Sequence, residues 1–147
     1  MNALPHIYTA TASAEVSSNL ELNVDNLPSL EVAPPIGFNG PGDIWSPEDL
    51  LMASVASCTI LSFKAIARAS KLDWVNISCV SSGILDRIER KTQFTEINTK
   101  AILTIPEGGN VEKAIKLLDK AEETCLISNS LTSKAHIECE IVFEPKT

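Results

Sequence analysis

Residues 45–63 read WSPEDLLMASVASCTILSF, and the fold follows from how this stretch is read. Ser46 can cap a helix through its hydroxyl, Pro47 suits the first helical position because it has no N–H to lose, and Asp49 can return a hydrogen bond to the cap. The helix then runs to about Ser70 through Leu50, Leu51, Val55, Ile60, Leu61, Phe63 and Ile66, which leave few polar positions on any side. Such a helix is expected to be buried nearly all round. Ala53, Ser54, Ala56 and Ser57 are small enough to let another backbone approach closely. Cys58 stands in the middle. It is either a packing residue or a reactive thiol that the helix holds in place. A mid-helix thiol gains little from the helix dipole and needs a positive neighbour to ionise near neutral pH. The residues alone leave both readings open.

Working outward towards the N-terminus, residues 6–16, 19–24 and 29–33 alternate apolar and polar positions between polar turns. Leu20, Leu22 and Val24 share one face, as in a half-buried antiparallel meander. VAPPIGFNGPGD (32–43) is a loop dense in Gly and Pro. On the C-terminal side, strands are expected near 74–84 and 93–105, joined by a hairpin whose turn carries DRIERK. PEGGN (106–110) breaks the chain, and Asn110 can cap a second helix, VEKAIKLLDKAEETC, that ends on Cys125. A last strand at 135–143 alternates Ala135, Ile137, Cys139, Ile141 and Phe143 with His136, Glu138 and Glu140. The order βββ-α-ββ-α-β, with mostly antiparallel strands, predicts an α+β domain, a single one over residues 1–147.

The bulk properties narrow the function. The chain has 147 residues, 44% hydrophobic and 21% charged, with a net charge of −7. That balance suits a globular protein and offers no basic surface for nucleic acid. All 12 Lys and Arg residues lie at or after Lys64, so the first 63 residues carry acids only. MNALPHIYTA lacks the charged and apolar regions of a signal peptide, and Ser57, Cys58, Thr59 and Lys64 interrupt the best candidate membrane span. A cytoplasmic protein is the expectation, with no membrane partner. Its four cysteines (58, 79, 125 and 139) should then be reduced by default, and any disulfide transient and catalytic.

The motif search excludes more than it finds. CxxC, HxxxH and HExxH are absent, and His6 and His136 fall on expected strands without a ligand partner, so no metal site and no cofactor are expected. GPG at 40–42 has neither a following GK[ST] nor a Rossmann context, and no GxSxG elbow occurs. Cys79 and Cys139 sit in the apolar rows of their strands and read as small buried hydrophobes. Cys58 and Cys125, 67 residues apart on separate helices, can meet only if those helices pack together. Trp45, Phe38 and Phe63 either line a pocket or fill the core.

GPGDIWSPEDLLMASVASC (40–58) followed by LLDKAEETCLISNSL (117–131) resembles the OsmC/Ohr family of organic-hydroperoxide-reducing proteins. The family pattern is P-E-x-L-L, small residues and a cysteine, then a second helix ending in a cysteine near S-x-x-L. The likeness extends over nearly the whole chain. Leu126 stands where many members have proline. The resemblance implies an OsmC-like fold, an intertwined homodimer with two central helices and active sites at the subunit interface.

The resemblance also implies roles. Cys58 matches the peroxidatic cysteine and Cys125 the resolving one; Glu48, ten residues before Cys58, matches the family glutamate. An acid at position 48 also complements the helix dipole without any catalytic part. The implied chemistry is reduction of an organic hydroperoxide, with an external dithiol, such as a lipoylated protein, restoring the thiols. In relatives an arginine from the N-terminal half lowers the cysteine's pKa. This chain has none there, which leaves the DRIERK hairpin, with Arg87 or Arg90, as the expected cation. The other reading is a dimer of the same fold with little turnover, which binds a small apolar ligand or senses redox state.

Overall fold

The computed structural model describes residues 2–145, which form two compact units divided between Leu51 and Met52. The first holds a three-stranded antiparallel sheet of β1 (Thr11–Ser13), β2 (Leu20–Asn23) and β3 (Leu30–Val32). Leu20 pairs with Val32, and Leu22 lies between Ala12 and Leu30, so the apolar positions do align across the meander. The strands are shorter than the alternation predicts: only Thr11–Ser13 of residues 6–16 pairs, and Val24 lies beyond β2. With few large side chains to bury, there is little to extend the ladder.

The Gly/Pro loop then makes a single 3-10 turn at Ile36–Phe38 and returns, so that the Ala33 N–H donates to the Trp45 carbonyl at 2.9 Å. Helix α1 (Pro47–Ser70) starts where expected. The Asp49 N–H donates to Ser46 Oγ at 3.1 Å, and Asp49 Oδ2 accepts from Ser46 Oγ at 2.8 Å and from its N–H at 3.3 Å. This reciprocal cap is worth about 1 kcal/mol.

The second unit is built on the sheet β4 (Asn76–Ile88), β5 (Lys91–Pro106) and β6 (Lys134–Glu144). β4 and β5 are antiparallel, whereas β5 and β6 are parallel. The parallel pair requires a crossover, which α2 (Val111–Glu123) and the one-turn α3 (Leu126–Asn129) supply. As expected, Asn110 caps α2, its Oδ1 accepting from the Lys113 N–H at 3.0 Å. The core joins Phe63 and Ala67 of α1, Ala101, Leu103 and Ile105 of β5, and Ala114, Leu117, Leu118 and Ala121 of α2. Burying each of the larger side chains contributes roughly 1.5–3 kcal/mol.

Three expectations need correction. The hairpin turn is not the whole of DRIERK: β4 continues to Ile88, and only Glu89 and Arg90 turn the chain, with φ of 50° and 70°. The ladder with β5 runs on through the charged sequence, Asp86 pairing with Gln93, Arg87 with Thr92 and Ile88 with Lys91. Cys125 does not end the second helix, because α2 stops at Glu123 and Cys125 becomes the N-cap residue of α3. Finally, α1 is not buried all round. Its buried residues are Val55, Thr59, Phe63 and Ala67, one stripe at i, i+4 spacing, and Leu61 is 64% exposed. By length and composition alone α1 could also cross a membrane, yet its stripe of four is used in packing.

Candidate functional site

The crossover that places β6 beside β5 also places Cys125 against α1. Cys125 is completely buried at the start of α3, and Cys58 is half-buried on α1. The Cys58 thiol, the Ser128 hydroxyl and the N–H groups of Ser128 and Ile127 lie close enough to the Cys125 sulfur to favour its charged form. Cys125 makes no side-chain capping bond to α3. Burial by itself pushes the Cys125 thiol up; those donors outweigh it and bring the thiol below its ordinary value. The two cysteines that are far apart in sequence are therefore neighbours.

Cys58 opens on a cavity of about 490 Å³ walled by Leu61, Ala65, Leu126 and Ile127, with the Ser57 and Ser62 hydroxyls at its edge. Cys58 Sγ lies 3.9 Å from Ser62 Oγ. A pocket of this kind favours a ligand with an apolar body and a small polar end. Leu126 forms part of the wall. Ser128 was not singled out by the sequence, although its place three residues after a helix-capping residue is the N3 position that faces a cap.

The remaining expected site residues fall elsewhere. Phe63 is not a pocket wall: it is completely buried and packs edge-on against Trp74 with ring centroids 5.5 Å apart. A large ring on the buried stripe of α1 is worth more in the core than beside a thiol. Within the first unit, Glu48 and Phe38 line a cavity of about 410 Å³. Trp45 is 47% exposed, with its backbone bridged to Val32. Arg87 lies near the end of β4 and Arg90 in the turn, both exposed. The cavity at Cys58 has no Lys or Arg in its lining, so neither arginine lies against that thiol within the chain.

Cys79 and Cys139 form a contrasting pair. Both face Ala101, one from each neighbouring strand, on the half-buried side of the sheet. Two strand spacings put their Cα atoms about 9.6 Å apart, too far for a disulfide. Burial pushes both thiols up from the ordinary 9.0 to about 11, with Asp119 adding to the effect at Cys139. Because the folded state holds these protons more tightly than the unfolded chain, the stability they contribute is complete below pH 9 and lost as pH rises through 11. The loss is roughly 1–2 kcal/mol per thiol after allowing for partial exposure. Urea unfolding measured at pH 8, 9, 10 and 11 should show the midpoint falling over the last two steps, and falling less in Cys79→Val.

Comparison with known proteins agrees with this architecture. Residues 40–140 match the family model described as OsmC-like protein. An uncharacterized Bacillus subtilis protein, YmaD, is 25% identical over 109 residues, covering 72% of this chain and 73% of its own. An OsmC-like protein of unknown function from Vibrio cholerae superposes with a TM-score of 0.82 at 17% identity, covering 92% of this chain and 99% of that one. An organic hydroperoxide resistance protein from Legionella pneumophila superposes at 0.70 with 26% identity, covering 94% and 99%. Another, from Elizabethkingia anophelis, superposes at 0.77 with 23% identity, covering 98% and 100%.

Proposed function

The chain belongs to the OsmC-like protein family, and from that premise we propose that it is a thiol-dependent peroxidase that reduces organic hydroperoxides through Cys58 and Cys125. Its main support is the adjacency of these two cysteines beside an apolar cavity. The family's named hydroperoxide resistance proteins lend further weight.

The chemistry follows from the dipoles around Cys125. When Cys125 is ionised, the Cys58 thiol passes its proton to it as the Cys58 sulfur attacks the terminal oxygen of the hydroperoxide. The O–O bond breaks, the leaving alkoxide takes from Cys125 the proton that Cys58 gave up and departs as the alcohol, and Cys58 becomes a sulfenic acid. Cys125, again a thiolate, then attacks the Cys58 sulfur and expels hydroxide, which is protonated to water. The disulfide that forms holds the two electrons lost by the thiols. An external dithiol, such as a lipoyl group, returns both thiols by exchange and is itself oxidised. Leu61, Ala65, Leu126 and Ile127 favour an alkyl hydroperoxide over hydrogen peroxide because they bury its carbon chain. We place the protein in the cytoplasm, where such dithiols persist. We assign the uncovered apolar positions of α1, Leu61 above all, to contact with a second copy in a homodimer. Arg87 or Arg90 of that second copy is the expected source of a cation at Cys58.

The experiment is intact mass and thiol mapping after one equivalent of cumene hydroperoxide is added to the reduced protein. Loss of two hydrogens mapped to Cys58–Cys125, with Cys79 and Cys139 still alkylatable after unfolding, supports the peroxidase. An unchanged mass after several minutes sinks it and favours a ligand-binding member of the family.

A further inference from the structure

The lining of the Cys58 cavity holds no Lys or Arg, so a donor from that lining to the Cys58 sulfur has to be a neutral group. Ser62 supplies one, through its choice of partner. A serine or threonine on a helix can return its hydroxyl to the carbonyl four residues earlier. Thr59, Thr124 and Ser130 do so, at 2.9, 2.8 and 2.7 Å. Ser62 stands four residues after Cys58, on the same face of α1. Its Oγ lies 3.9 Å from Cys58 Sγ, and the hydroxyl is turned to that sulfur rather than to the Cys58 carbonyl.

The state of the sulfur fixes the direction of this contact. Beside a thiol, either group can be the donor. Once the sulfur has lost its proton, only the O–H remains, and Ser62 must donate. A hydrogen bond to a charged acceptor is also the stronger one, so the contact tightens as charge gathers on the sulfur. Both side chains are half-buried, where water competes less for the same hydroxyl.

Given Cys58 as the nucleophile of the proposed peroxidase, we propose that Ser62 activates it, the Ser62 hydroxyl donating to Cys58 Sγ as that sulfur gives up its proton and turns to the peroxide oxygen. Ser62 thereby becomes a catalytic residue of the reaction. It keeps its own proton throughout, and no bond to its oxygen forms or breaks, so the balance of protons and electrons is unchanged. The contact lies within one helix and is present whether or not a second copy adds a cation.

The test is the rate at which iodoacetamide alkylates Cys58 in the reduced native protein between pH 6 and pH 10, mapped by peptide mass. Ser62→Ala places a better helix former on α1, and circular dichroism checks its fold. At pH 7 its Cys58 should be alkylated about three- to tenfold more slowly, the worth of one ordinary hydrogen bond. The difference should close towards pH 10, where loss of the proton no longer limits the rate. Ser62→Thr keeps the hydroxyl and should stay within about twofold of native. Consumption of cumene hydroperoxide at pH 7 should fall in Ser62→Ala by the same factor. Equal alkylation of native protein and Ser62→Ala at pH 7 would overturn the proposal. So would a deficit of the same size at every pH, which signals changed access, or one that Ser62→Thr shares. If alkylation follows the expected pattern but the native protein consumes no hydroperoxide, activation of Cys58 by Ser62 stands and the peroxidase reading falls.

Discussion

Cys58→Ser is expected to cut hydroperoxide consumption by about a thousandfold or more, the scale seen when a catalytic nucleophile is removed. Serine fills the same space on α1, so circular dichroism and the thermal midpoint should stay close to native. Cys125→Ser should behave differently. Its Cys58 can still react, though more slowly without the Cys125 sulfur to take its proton, because the cavity and the attacking sulfur remain; no partner thiol stands ready to condense with the sulfenic acid. With further hydroperoxide, Cys58 should accumulate as sulfinic acid, seen as a gain of two oxygen atoms by intact mass. Ser128→Ala belongs between the two. Losing the hydroxyl dipole raises the Cys125 thiol towards its ordinary value, slowing disulfide formation and letting some overoxidation through. Restoration by Ser128→Thr would separate the hydroxyl from mere packing. If Cys125→Ser cycled with a monothiol as fast as the native protein does with a dithiol, Cys125 would have no resolving role.

The second large effect is structural. A Cβ on Gly40 would overlap the carbonyl of Pro34 and press on that of Pro35. Both obstacles are backbone in a Pro-Pro segment, so neither can swing aside. Gly40→Ala should therefore cost about 3 kcal/mol, through loss of the loop that returns the chain to Trp45. Gly37→Ala is the control, because nothing lies within 4 Å of its added Cβ; it should change stability by no more than about 0.5 kcal/mol. Denaturant unfolding followed by Trp45 fluorescence in a Trp74→Phe background would measure both. An unfolding midpoint for Gly40→Ala equal to that of Gly37→Ala would show that the loop rearranges freely.

These two residues also show how legibility is distributed. GPG at 40–42 reads in sequence only as a turn that is not a phosphate loop. Why the first glycine is needed depends on where Pro34, six residues earlier, comes to rest. Helix α1 is the opposite case: its cap, its proline and its length are local properties, and the structure places them where the sequence does. The alternation of the last strand is equally local, but its partner is not. β6 could have paired on either edge and in either direction; its parallel register on β5 follows from packing α2 over the sheet.

For the site, residue types and spacing determined the candidates: a cysteine inside an apolar helix, and another where a second helix gives out. Those patterns rest on interactions within a few residues, which the sequence carries directly. The tertiary structure alone decided that the two thiols meet, and that the donors of the first turn of α3 converge on Cys125. It also put Phe63 in the core rather than at the cavity, and among the described residues it left the Glu48 Oε1 atom without a hydrogen-bond partner. The physical reason is range. Capping and periodicity act along the chain, whereas a pair of neighbouring thiols or a cavity exists only once segments 30 to 70 residues apart are packed side by side.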